Sequence, residues 1–126
     1  MDTEEYRKKI NPLLPSRTNI FAFGDFNTCK VVSQKYGWNL SEVKTFTLDL
    51  GNNFLKVNME IISFARDLYK KIKLDENQKE KLWAAYWGSH EPLPDEILSF
   101  LGIDKLECHW EYIIEGCLTL KDSKIY

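Results

Sequence analysis

The residues of this chain whose types and spacing could do chemistry are few: two histidines, three cysteines and a set of glutamates near the C-terminus. Nucleophilic catalysis needs a thiol or hydroxyl, a base within hydrogen-bond reach and a group to orient that base. His90 and His109 are the only imidazoles. Cys108 and His109 are neighbours, so on a strand they point to opposite faces. Cys29 can meet either histidine only through the tertiary fold. A metal site drawn from His90, Glu91, Glu107, His109 or Glu111 lacks the His-x3-His and His-Glu-x2-His spacings that set two ligands on one helix face. Gly24 follows an apolar run and precedes a helix, but a phosphate-binding turn needs more glycines and a Gly-Lys-Ser/Thr. The sequence therefore predicts no catalytic residue, no metal and no cofactor.

The glutamates carry more information. Between Leu106 and Glu115, Leu106, Cys108, Trp110, Tyr112 and Ile114 alternate with Glu107, His109, Glu111 and Glu115, with Ile113 the exception. That period of two predicts a strand with one apolar and one acidic face. A helix is the alternative, with Leu106, Trp110, Ile113 and Ile114 as its stripe. Either way the like charges repel mildly. Net charge is only −2, yet from Ser89 to Cys117 seven carboxylates (Glu91, Asp95, Glu96, Asp104, Glu107, Glu111, Glu115) stand against Lys105 alone. Arg66, Lys70, Lys71 and Lys73 form a short basic group before them, so the surface is expected to be electrically two-sided.

These patterns predict a binding surface made of Asp95, Glu96, Asp104, Glu107, His109, Glu111 and Glu115, with Trp87 partly exposed at the end of its helix. An acidic, aromatic-flanked surface suits a basic protein partner, such as a nuclease toxin or a host nucleic-acid enzyme. Small inhibitors, such as immunity proteins that neutralise bacterial toxins or phage-encoded inhibitors of host enzymes, share this size and charge. Two other readings are a small Cys/His enzyme and a nucleic-acid-associated regulator. For the second, Asp95 to Leu101, Gly102 and the stretch from Lys105 have the rhythm of a degenerate helix-turn-helix. Its recognition element would carry Glu107, Glu111 and Glu115 against phosphates, so direct nucleic-acid binding is not expected.

The elements that position these residues follow from periodicity and punctuation. Asp2 or Thr3 is expected to cap a first helix with Tyr6, Ile10, Leu13 and Leu14 as its stripe, limited by Pro12 and Pro15. Ile20 to Phe23 reads as a buried strand, and Asp25 or Asn27 opens a helix that Gly37 stops. Thr45 to Leu50 alternates and ends at Gly51-Asn52-Asn53, predicting a hairpin whose partner runs to Val57. Asn58 then caps a helix to about Lys73. Asp75-x-x-Gln78 opens a helix to Trp87 with Gly88 as its stop, and Pro94 to Leu101 forms a short helix after a Pro-Leu-Pro break. Cys117 to Leu120 is expected to pair back on the Leu106–Ile114 strand, leaving Asp122 to Tyr126 as a loose tail.

The totals are consistent with one α+β domain over residues 1–126, with about five helices and a small, mainly antiparallel sheet, the alternative being all-α. The length suits a single core, and 44% hydrophobic with 29% charged residues is ordinary globular usage. No apolar run approaches a membrane span, and the Met1 to Lys9 start lacks a signal segment, which predicts a cytoplasmic protein. Three cysteines without a Cys-x-x-Cys pair argue against a disulfide framework or zinc knuckle.

Overall fold

The structure is a computed structural model that describes residues 1–49, 52–90 and 93–125, with side chains described as far as Asp122. Leu50 at the predicted strand end, Gly51 of the predicted turn, Glu91 of the acidic set, Pro92 of the helix break and Tyr126 of the tail lie outside the described residues. Helix α1 (Thr3–Ile10) begins after Asp2, whose carboxylate makes no cap and instead accepts from the Tyr69 hydroxyl at 3.0 Å. The helix ends ahead of Pro12, so of the predicted stripe Tyr6 is buried while Ile10 and Leu13 stay exposed. The other helix starts follow local chemistry. Asp25 accepts from the Thr28 amide and opens α2 (Phe26–Tyr36), which Gly37 closes at φ 69°. Asn58 accepts from the Glu60 amide and opens α3 (Met59–Lys71). Asp75 and Gln78 form a reciprocal capping box on α4 (Glu76–Trp87), and α5 (Asp95–Leu101) runs from Pro94 to Gly102.

The strands are β1 (Ile20–Phe23), β2 (Glu42–Leu48), β3 (Asn53–Asn58), β4 (Trp110–Glu115) and β5 (Leu118–Ile125). Among the described residues they make two antiparallel sheets, β1-β4-β3 and a separate β2-β5 ribbon, and with five helices the architecture is α+β. Two expected hairpins do not form. β3 pairs with β4 rather than β2, and β5 pairs with β2 rather than β4. The β3–β4 register sets Leu55 opposite Ile113 and Val57 opposite Glu111, gathering Leu55, Val57 and Ile113 on one face for the helices to cover. The expected loose tail is strand, with Thr45 opposite Asp122 and Glu42 opposite Ile125. The chain from Leu106 to His109 is irregular, so the predicted strand begins four residues late and the turn at Gly102 leads into no second helix.

The core forms between α3, α4, α5 and the inner face of the three-stranded sheet. Trp83, Tyr86 and Trp87 of α4 are fully buried, with Tyr86 edge-on to Trp83 at 6.0 Å and to Trp87 at 5.0 Å. The Trp87 indole donates to the Thr3 carbonyl at 3.0 Å, tying α1 to the core. Trp87 is therefore a core residue and not the exposed flank expected from its place at the helix end. β4 also inverts the expected faces. Ile113, the exception in the alternation, is fully buried among the helices, and Glu111 shares its face, while Tyr112 and Ile114 turn to the other side. The ribbon covers that other side, so β4 is sandwiched and loses a clean period of two. Among the described residues no helix is long and apolar enough to cross a membrane.

Candidate functional site

Between the outer face of the three-stranded sheet and the β2–β5 ribbon lies a cleft of about 650 Å³. Its walls include Ile20 of β1, Phe46 and Leu48 of β2, and Tyr112 and Ile114 of β4, with Asp25, Glu42 and Asp122 against Lys44 among the charged residues. Ile20, Phe46 and Leu48 keep more than a third of their surface exposed. Two features fix the turns that join the ribbon to the sheet. Asn52 bonds both backbone groups of Cys117, donating to its carbonyl at 2.7 Å and accepting from its amide at 3.2 Å. Gly116, at φ 134°, would bring any Cβ to within 2.0 Å of the Asn52 Oδ1, so only glycine lets the chain leave β4 at this angle. Gly24 has a packing purpose too, because a Cβ there would stand 2.8 Å from the Tyr112 ring.

The predicted acidic surface is divided among several environments. Glu107 is exposed and hydrogen-bonded to Lys35 of α2. Glu111 points into the helix-facing side, 3.8 Å from Arg17, whose guanidinium also donates to Tyr86 and stacks on Phe21. Burial pushes the Glu111 carboxyl up, and Arg17 and Arg66 offset this only in part. Glu96 pairs with Lys81, Asp95 and Asp104 lie exposed around α5, and Glu115 is exposed at the end of β4 opposite Asn53. Trp87 is out of reach in the core. The cations that pair with Glu107, Glu96 and Glu111 come from α2, α4 and the approach to β1.

His109 belongs to a different constellation. Its Nδ1 lies 2.8 Å from Oε1 of Glu60, a carboxylate that is only 4% exposed in the first turn of α3. The second oxygen of Glu60 accepts from Lys35 Nζ and from the Tyr36 hydroxyl, each at 2.8 Å. Burial acts to raise the Glu60 carboxyl, but the bonds from Lys35, His109 and Tyr36 outweigh it and hold it below the usual carboxylate range. The Lys35 amine moves the other way: burial pulls it down, and Glu107 with Glu60 drives it up well past the ordinary lysine value. Asn58 fixes the irregular segment that carries the histidine, donating to the Glu107 carbonyl at 3.1 Å and accepting from the His109 amide at 3.2 Å.

Comparison with protein-family models, with curated proteins and with solved structures finds no match for the chain. Sequence reasoning passed over Glu60 because a glutamate in the first turn of a helix is already accounted for by the helix dipole. It passed over Arg17 because a lone cation before a short strand carries no period. The signal for the cleft was the adjacent pair Ile113-Ile114, whose two apolar side chains on opposite faces require cover on both.

Proposed function

We propose that the protein is a binding module that takes a basic, apolar segment of a partner protein into the cleft between the three-stranded sheet and the β2–β5 ribbon. One observation carries this reading: large apolar side chains left open to solvent, Ile20, Phe46 and Leu48, line the same cleft as three carboxylates and a single lysine. Apolar walls supply affinity, and the charge imbalance selects a cationic segment and speeds its encounter. The carboxylates of this cleft are Asp25, Glu42 and Asp122, none of them in the acidic set read from the sequence, and Tyr112 is its aromatic wall. A basic nuclease toxin or a host nucleic-acid enzyme is the partner class this chemistry fits, and occlusion of such a partner is the mode of inhibition. None of Cys29, Cys108 and Cys117 forms a disulfide among the described residues, which suits a reducing, cytoplasmic setting.

The test is peptide selection from a random library on the wild-type protein, followed by affinity measurement on Phe46→Ser. Phe46 is 44% exposed, so its loss leaves the fold in place. Enriched peptides are expected to carry net positive charge with two or more large apolar residues, and to bind at least tenfold more weakly to the variant. Peptides that are acidic, or whose affinity ignores Phe46, would refute the reading. Acidic peptides would direct attention to Arg66, Lys70, Lys71 and Lys73.

A further inference from the structure

We propose that Glu60, Glu107 and His109 form a divalent transition-metal site of the zinc class, which Lys35 occupies in the ion's place. The reading is independent of the cleft, whose walls share none of these residues. One ligand-bearing atom from each of the three residues lies within 4.8 Å of the others. Zinc takes carboxylate oxygen and imidazole nitrogen at about 2.0–2.2 Å, so ligand atoms around one tetrahedral ion stand roughly 3.3 Å apart. The His109 Nδ1 and the Glu60 Oε1, at 2.8 Å, are already close to that spacing. Glu107 has to close the remaining gap by a change of rotamer, for which its 61% exposed side chain has room.

The ligand carriers are held before any ion arrives. Glu60 sits in the first turn of α3, and Asn58, the cap of that helix, hydrogen-bonds the backbone of both Glu107 and His109. The Met59 amide donates to the His109 carbonyl at 3.1 Å, adding a third tie. Elements 49 residues apart in the chain are thereby locked with three donor groups converging. Charge points the same way. With a neutral imidazole, two carboxylates and the Lys35 ammonium leave one negative charge, whereas a divalent ion in place of the ammonium balances both carboxylates. One histidine with two carboxylates leaves a fourth position for water, as in open zinc sites. For His109 to ligate through Nδ1, its ring proton moves to Nε2, and Lys35, which is 37% exposed, swings into solvent without losing its charge.

The competition makes the proposal testable. Cobalt(II) reports nitrogen–oxygen coordination by its visible absorption, so wild-type protein, Lys35→Met and the double variants Lys35→Met/Glu107→Gln and Lys35→Met/His109→Gln are titrated with it, and zinc is used to displace it. Removing the competing ammonium is expected to give one-to-one binding at least tenfold tighter than wild type. Each double variant is expected to lose that gain. Glu107 is exposed, so its replacement reads the site even where loss of His109 disturbs folding. Absence of saturable binding by Lys35→Met overturns the proposal. Affinity equal to wild type, or binding that survives Glu107→Gln, overturns it equally.

Discussion

Replacing Glu60 by Gln isolates the charge at the junction of α2, α3 and the segment before β4. Glu60 is 4% exposed and accepts from Lys35, Tyr36 and His109, each at 2.8 Å. Glutamine keeps the volume and one acceptor oxygen, so no cavity opens. Hydrogen bonds to charged groups contribute about 1.5–3 kcal/mol against about 0.5–1.5 for neutral ones, a difference of about 1–1.5 per bond, so weakening three bonds loses roughly 3–4.5 kcal/mol at most. Lys35 is 37% exposed and recovers part of its share from water, which brings the expected loss to about 2 kcal/mol at pH 7. The pH dependence has a definite sign. The folded Glu60 carboxyl lies below its usual value, so its stabilisation is present above the unfolded pKa of about 4.3 and is lost as pH falls through the lower folded one. The gap between wild type and variant should therefore hold steady from pH 7 to about pH 5 and shrink at more acid pH. Urea unfolding followed by tryptophan fluorescence measures both quantities. A gap under 0.5 kcal/mol at pH 7, or one that widens with acid, would refute the reasoning, the threshold being well below the value of one charged bond (about 1.5 kcal/mol).

Two further substitutions probe the frame. Glu111 has the opposite sign: burial raises its carboxyl, so its contribution is present below the unfolded pKa and lost as pH rises through the folded one. Glu111→Gln is expected to hold or raise stability at pH 7 and to remove that acid-favouring component, as thermal melts at pH 7 and pH 5 will read; a loss above about 1 kcal/mol at pH 7 would mean that Arg17 outweighs burial. Gly116→Ala forces a side chain into φ 134° and against Asn52, so it should lose roughly 1–3 kcal/mol and weaken hydrogen-exchange protection in β5.

Where structure depends on neighbours in sequence, the sequence was a sufficient guide. Asp25, Asn58 and the Asp75–Gln78 box each act within three residues, and each opens its helix as read. Asp2 fails as a cap because Tyr69 and Lys79 claim its carboxylate from distant elements. Strand pairing fails for the same reason. Alternation in Thr45–Leu50 and Cys117–Leu120 shows that these are strands, but the choice between a hairpin and the β2–β5 ribbon depends on which partner face needs cover.

The site was less legible than the fold because charge counts along a chain say nothing about where the counter-charges arrive. Seven carboxylates against one lysine between Ser89 and Cys117 read as an acidic face, yet Lys35, Lys81 and Arg17 reach Glu107, Glu96 and Glu111 from outside that window. The pattern held a second clue that a one-sided strand cannot accommodate. Had the polar side of β4 faced water, Ile113 would have been an exposed isoleucine between two glutamates, an arrangement that leaves a large apolar group unburied and two like charges unrelieved. Burying Ile113 instead commits Glu111 to the same side, since residues two apart on a strand share a face. A carboxylate taken inside requires a cation to accompany it, and Arg17 is that cation. Tyr112 and Ile114 are then turned outward, where they need the ribbon. The cleft and the Arg17–Glu111 pair are thus two consequences of one apolar residue standing out of phase.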